Sequence, residues 1–314
     1  MRDFSYFRAD NIEAARNAAA LPGAMLLAGG TTLIDLAKCG VAEPSTVIDI
    51  SHIEGLNAID VTADRAVIGA LARMSHVADN PHVKSLFPAV SEALWQAASA
   101  QLRNMATIGG NLMQRTRCPY FRDPANFPAC NKRAPGSGCS AIGGVTRGHA
   151  VLGVSEACIA TYPGDLAVAL VAFDAEVDLG ERKLKVEDFF LAPGATAEQE
   201  HDIRPGEVIT AIEIPGSAAA RRSTYIKVRD RQSYEFAAAS AAVGLELEGD
   251  GHTVRDIRVA LGGVATKPWR VRAVEDALSE LAMEGAVDHG ANHYKIALAP
   301  RVIARAILEL GETA

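Results

Sequence analysis

The stretch TIGGNLMQRTRCPYFRDPANFPACNKRAPGSGCSAIGGVTRGHAVLGVSEACIATYPGD, Thr107 to Asp165, decides how this chain is read. It opens on a paired-glycine turn, TIGGN (Thr107 to Asn111). It closes on PGD (Pro163 to Asp165), where a helical pattern resumes. Between them lie four of the five cysteines: Cys118, Cys130, Cys139 and Cys158. Eleven, eight and eighteen residues separate them and no CxxC pair occurs, so this is not the usual zinc-ribbon spacing. From Gln114 to Gly148 there is little periodicity, and Pro119, Pro124, Pro128, Pro135, Gly136 and Gly138 forbid a regular helix. Irregular segments of this length are uncommon unless functional or tied down. Four thiolates from an irregular loop suit an iron–sulfur cluster. Arg115, Arg117, Arg122, Lys132, Arg133 and Arg147 outnumber Asp123 and Glu156 around them. Such cations would stabilise and tune an anionic cluster. Two disulfides, a structural zinc of non-standard spacing, or a solvated basic loop face are the competing readings.

A second glycine pair lies upstream, in AGGTT (Ala28 to Thr32). Met25 to Ala28 is a continuous apolar run, as in a buried strand. Gly29-Gly30 and Thr31-Thr32 follow, then a helical pattern at Leu33, Ile34, Leu36 and Ala37. Strand, glycines, hydroxyl residues and helix start together form a recipe for phosphate. Glycines let backbone N–H groups approach the oxygens, and a helix N-terminus carries partial positive charge. A tight turn with no ligand is the plainer reading; the segment is neither GxGxxG nor a Walker motif. Two such pairs can cradle the two phosphates of a dinucleotide from opposite sides. Asn111 either bonds a phosphate or ribityl oxygen or holds the turn. Asp165 either caps its helix or accepts from sugar-like hydroxyls.

The chain has 314 residues, which favours two domains. A hydrophobic content of 49% and a charged content of 22% are ordinary for a globular protein. A net charge of -7 argues against non-specific binding to nucleic acid or anionic membrane. No apolar run approaches the ~20 residues that span a bilayer, so no membrane insertion is expected. MRDFSYFRADN has neither an apolar signal core nor twin arginines. The expected location is cytoplasmic, or periplasmic by co-export with a signal-bearing partner. Strands are predicted at Phe4–Phe7, Val47–Ile50, Val67–Ala70 and Val208–Ile214, with a hairpin over Ala175–Leu179 and Leu184–Val186. Helices are predicted after Asp10 or Asn11, after a cap at Ser75, over Phe87–Ala98 and over Gly164–Ala172. Gly216 to Ala220 reads as a linker. Beyond it, Tyr225–Val228, Ala237–Leu247, Thr253–Leu261 and Val264 read as antiparallel strands with a turn at Asp250-Gly251. Val274–Ala282 and Arg301–Leu310 read as amphipathic helices.

AGGTTL, TIGGNL and the cysteine-rich segment together resemble one family over essentially the whole chain. It is the FAD-binding subunit of the molybdenum hydroxylases, the xanthine dehydrogenase and aldehyde oxidase group. QLRNMATIGGNLMQRTRCPYF, CNKRAPGSGC and HAVLGVSEACIAT resemble most closely the subunit of periplasmic aldehyde oxidoreductases that carries an extra 4Fe–4S cluster. The resemblance implies an α+β fold. Residues 1–216 would form a two-subdomain FAD-binding domain of the vanillyl-alcohol-oxidase/PCMH type, with the cluster insert at about 114–158. Residues 217–314 would form a small α+β C-terminal domain. It implies that Leu26, Leu27, Ala28, Gly29, Gly30, Thr31, Thr32, Leu33 and Ile34 wrap the FAD pyrophosphate. Thr107, Gly109, Gly110 and Asn111 would form the second phosphate turn, Asp165 would hold ribityl or ribose hydroxyls, and Lys227 would lie near the isoalloxazine. Cys118, Cys130, Cys139 and Cys158 would ligate the cluster, leaving Cys39 a buried thiol. GGVATKPWR (Gly262 to Arg270) would serve packing. No catalytic acid or base is implied. A large molybdopterin-binding subunit and a small 2Fe–2S subunit would complete a heterotrimer that delivers electrons to a final acceptor other than a nicotinamide. A hydroxybenzoyl-CoA reductase-like flavin subunit, and a non-redox nucleotide-binding module stapled by disulfides, are the alternatives.

Overall fold

The computed structural model describes residues 1–194, 196–250, 253–277 and 285–312. Three sheets organise them. Strands β1 (Ser5–Arg8), β2 (Ala24–Leu27) and β3 (Thr46–Asp49) form a small parallel sheet in the order β1-β3-β2. The crossover from β1 to β2 is the helix Ile12–Ala19, whose first turn is capped by Asn11 accepting from the Ala14 amide at 2.8 Å. Strands β4 (Ile59–Val61), β5 (Arg65–Gly69), β6 (Glu176–Asp178), β7 (Lys183–Lys185) and β8 (Ala211–Pro215) form an antiparallel sheet ordered β4-β5-β8-β6-β7. In β8, Ile212 and Ile214 are buried while Ala211 and Glu213 face outward, the period-two pattern of a sheet with one covered face. Strands β9 (Ser223–Val228), β10 (Ala239–Leu247), β11 (Val254–Gly262) and β12 (Trp269–Arg270) form the antiparallel C-terminal sheet, covered by the helix Tyr294–Glu312.

One helix ties the C-terminal sheet to the helices of the N-terminal region. Leu166–Ala172 (LAVALVA) has every residue buried. A helix apolar on all sides belongs inside a core. It packs against the α-helix Pro88–Gln96 on one side and β10 and β11 on the other. Gly262 permits this contact, since a Cβ there would meet Val168 Cγ2 at 2.6 Å. Arg270 crosses from the C-terminal sheet to donate to the carbonyls of Val171 and Ala172, at 2.6 and 2.7 Å, at the C-terminal end of the helix. The packing role expected of GGVATKPWR is thus seen in its arginine.

Several expectations shift. Gly216 to Ala220 is not a loose linker: Ser217 caps the short helix Ala218–Arg221, and a Cβ at Gly216 would meet the Ala63 carbonyl at 2.1 Å. Ser75 caps nothing; its helix runs Met74–Asp79, and the Ser75 hydroxyl is buried. Val264 lies outside the strands, its carbonyl accepting instead from Val151 and Leu152. The last helix begins seven residues before Arg301 and contains Pro300. Of the turn at Asp250-Gly251, Gly251 lies outside the described residues, as does the end of the helix expected over Val274–Ala282. Cys39 is half-exposed at the C-cap of Leu33–Lys38, not buried.

Candidate functional site

The two glycine turns meet. A Cβ on Gly29 would lie 2.1 Å from the Met105 carbonyl oxygen and 3.2 Å from Ala106 Cα, immediately before Thr107. Only glycine permits that approach. Leu26 and Leu27 pair with Ile48 and Asp49 inside the sheet, and Ala28 packs behind them, so these three position the turn and do not offer it. Gly30 then takes φ +72°. Among the described residues, the backbone N–H groups of Gly29, Gly30, Thr31, Thr32 and Leu33 donate to no protein acceptor, and the first turn closes only with Ile34 N–H on the Gly30 carbonyl. Five consecutive free donors at a glycine corner are a concavity for anionic oxygen.

The second turn is more committed. Ile108 and Gly109 donate their N–H groups to the carbonyls of Ala72 and Ala70, at 2.9 and 2.8 Å, and Thr107 Oγ1 caps the Gly110 amide at 3.3 Å. Gly109 is therefore a packing glycine, its Cβ position 3.0 Å from Ala70 Cβ. Asn111 keeps an opening: its Oδ1 is buried without a partner among the described residues. A cavity of about 590 Å3 is lined by Ser51, His52, Leu71, Ala72, Arg73 and His76, and its Ala72 and Arg73 meet the second turn at Ile108 and Thr107.

Asp165 and Lys227, expected to reach the cofactor separately, reach each other. Their ion pair is 2.8 Å long, with side chains 5% and 1% exposed. Tyr225 donates its hydroxyl to the other Asp165 oxygen at 2.7 Å, and Lys227 also donates to the Gln96 carbonyl at 3.1 Å. Burial pushes the Asp165 carboxyl up, and Lys227 and Tyr225 oppose that. Asp165 does not cap its helix. Next to it, Pro163 and Gly164 line a cavity of about 350 Å3 that also touches Cys118, His149, Phe236 and Lys295.

The cysteine segment contains one short helix, Pro119–Arg122, and an isolated bridge that places Cys130 opposite Cys139. Cys118 and Cys158 pack on a shared apolar cluster, and Cys118 also packs on the one containing Cys130. All five cysteines are free thiols, which disfavours the disulfide reading. Burial pushes Cys118 up to about 12, with Cys158 and Cys130 adding to the rise; Cys158 is raised as well. Among the described residues, no group of Cys, His, Asp and Glu side chains stands at the spacing of a single metal ion. Cys130 and Cys158 lie near enough to raise Cys118, and Cys130 and Cys139 near enough to raise Cys158; a four-iron cubane spreads its thiolates wider than one ion does.

The basic residues act as staples, while Lys132 also favours the Cys158 thiolate, as the expected cationic surroundings would. Arg117 and Arg122 both grip Asp35, on the helix that follows the first glycine corner. Arg133 donates to the carbonyls of Tyr120, Phe121 and Phe127. Arg147 pairs with Asp230 at 3.1 Å. Arg115 and Lys132 converge on Glu200, the latter at 3.1 Å. Burial opposes ionisation of Glu200, yet those two cations hold its carboxyl below the usual glutamate range. A depressed carboxyl contributes stability above its unfolded value and loses it as pH falls through the folded one. Acidification to below the ordinary glutamate range should therefore release the loop. Glu200→Gln should do so at neutral pH, costing about 2 kcal/mol locally. Limited proteolysis within residues 114–148 reads both; an equally resistant variant would refute the staple.

Sequence reasoning missed Glu200, His149, Tyr225 and Lys295. Each acts on a residue more than thirty positions away, or lines a cavity; His149 opens HAVLGVSEACIAT, but nothing local to it names its partner. The described geometry fits FAD: free amides at one corner, an orphaned Asn111 oxygen at the other, and a glycine that no side chain can replace. Among the described residues, no helix is long and apolar enough to cross a membrane.

Comparison with known proteins agrees. Residues 2–217 match the FAD binding domain in molybdopterin dehydrogenase, and residues 224–292 match the CO dehydrogenase flavoprotein C-terminal domain. The chain is 44% identical to the aldehyde oxidoreductase FAD-binding subunit PaoB of Escherichia coli (strain K12), over 98% of each chain. It is 30% identical to the glyceraldehyde dehydrogenase medium chain of Sulfolobus acidocaldarius, over 87% of this chain and 80% of that one. The fold matches carbon monoxide dehydrogenase from Hydrogenophaga pseudoflava with a TM-score of 0.71 at 25% identity, covering 98% and 96% of the two chains. These matches identify the α+β arrangement as the two-subdomain FAD-binding fold followed by its small C-terminal domain. The chain belongs to the FAD-binding subunits of the molybdenum hydroxylase family.

Proposed function

We propose that this chain is the FAD- and 4Fe–4S-bearing electron-transfer subunit of a molybdenum-dependent aldehyde oxidoreductase. The observation that carries the flavin part is the run of free amides from Gly29 to Leu33, held against Met105. The similarity to an aldehyde oxidoreductase subunit over 98% of both chains carries the aldehyde part. Large molybdopterin and small 2Fe–2S partners supply the chemistry that this chain lacks, and the complex passes electrons to a separate acceptor. Its place is periplasmic by co-export with a signal-bearing partner, or cytoplasmic.

Bound FAD supplies the capacity to store two electrons and release them singly. The protein's residues bind and orient. Gly29 to Leu33 would hold the pyrophosphate, and Asn111 Oδ1 would accept from a cofactor hydroxyl. Asp165, with Lys227 and Tyr225, would form a fixed polar wall, since the ion pair leaves carboxylate lone pairs for a ribityl hydroxyl. Pro163 and Gly164 open onto the 350 Å3 cavity, whose residues would enclose the isoalloxazine beside Cys118. Cys118, Cys130, Cys139 and Cys158 would ligate the cluster as thiolates, and the metal would supply the charge that their burial withholds.

The visible spectrum and the iron and flavin content of the purified complex test this reading. Flavin bands with a broad brown shoulder are expected. Cys130→Ser should lose iron and keep FAD; if its iron content equals that of the parent, the ligand assignment is wrong. Unchanged turnover of that variant in the intact complex would make the cluster an ordering element instead of a relay.

A further inference from the structure

Two groups in the wall of the 350 Å3 cavity lack the partners that their burial demands. Lys295 is 1% exposed, and its ammonium donates to the Gly263 carbonyl at 2.6 Å. Among the described residues no carboxylate pairs with it. A buried cation without a counter-charge is costly unless something anionic arrives. Burial and the Arg147 cation lower the Lys295 ammonium to about 8, which still leaves it charged at neutral pH. His149 is 3% exposed, with Nε2 at 3.3 Å from Cys118 Sγ and Nδ1 buried without a partner. Both side chains and Gly263 line the same space as Pro163 and Gly164.

Lys227 is the cation that the sequence resemblance places near the isoalloxazine. In the fold its charge is matched by Asp165 at 2.8 Å, so the pair presents little net charge. Lys295, from the C-terminal helix, has no such match. We propose that Lys295 is the cation that offsets negative charge on the cofactor ring, with His149 Nδ1 as the facing polar contact. The ligand class is a planar heteroaromatic whose carbonyl–imide edge gains negative charge on reduction. This inference rests on the isoalloxazine occupying the cavity.

The test uses the purified complex, with the ring potential followed by potentiometry and sulfite as a probe anion whose bound form leaves negative charge on the ring. Lys295→Met should shift the flavin midpoint to more negative potential and weaken sulfite binding about tenfold, as loss of one nearby charge predicts. Lys295→Arg, which keeps the charge, should stay near the parent in both. A flavin-replete Lys295→Met complex with the parental potential and sulfite affinity overturns the assignment. So does an equal loss in Met and Arg variants, which would make Lys295 a packing residue. A parental complex without flavin would instead remove the functional reading beneath it.

Discussion

Gly29→Ala should yield a protein without flavin and with a lowered melting temperature. The new methyl would need to sit 2.1 Å from the Met105 carbonyl oxygen, and that neighbour is backbone that cannot rotate away. The two glycine turns would have to part. Overpacking of a tight contact costs about 1–3 kcal/mol and more where backbone must move. The five free amides would also leave the geometry on which a diphosphate depends. Gly30→Ala is the internal control. It faces a positive φ of +72°, worth about 1–2 kcal/mol, but meets only side-chain atoms, Leu27 Cδ1 at 3.3 Å and Ile34 Cγ1 at 3.5 Å. Its flavin loss should be partial. Thermal melts and flavin content of both variants decide the matter; equal behaviour would mean that the contact with Met105 is unimportant.

Asp165→Ala should be nearly as damaging, by another route. It strands the Lys227 ammonium in a site where the side chain is 1% exposed, and deprives the Tyr225 hydroxyl of its acceptor. Removing one partner of a buried ion pair costs about 3–5 kcal/mol, because the other charge stays buried. Lys227→Met alone strands the carboxylate in the same way. The double change Asp165→Ala with Lys227→Met removes both charges, and should recover a large part of the stability without recovering the flavin. A double-mutant cycle on denaturant midpoints measures the coupling. Strictly additive losses would show that the two side chains do not depend on each other.

What the sequence made legible was local. Gly29-Gly30 between an apolar run and a helical pattern reads as a corner because the glycine requirement and the strand lie within a few residues. The prolines of Gln114 to Gly148 announce an irregular segment for the same reason. Partnerships were not legible. Asp165 meets Lys227, Arg117 meets Asp35, and Arg115 meets Glu200 across 62, 82 and 85 residues. Nothing in the composition of either partner selects the other. A basic loop next to cysteines reads as a charge field, and only the fold reveals that its cations are spent on distant carboxylates and carbonyls. The last helix runs on through Pro300, whose missing donor is a defect that the burial of Ala299, Val302, Ile303 and Ala306 outweighs.

The wholly apolar helix Leu166–Ala172 makes the chain poorly modular. Its residues are shared between the helices of the N-terminal region and the C-terminal sheet, so neither family-matched region owns a complete interior. Severing the backbone near residue 216 would leave an oily rod bare on one fragment and its socket empty on the other. A chimera that exchanges the C-terminal region between relatives must therefore carry this helix, with Arg270, as part of the graft.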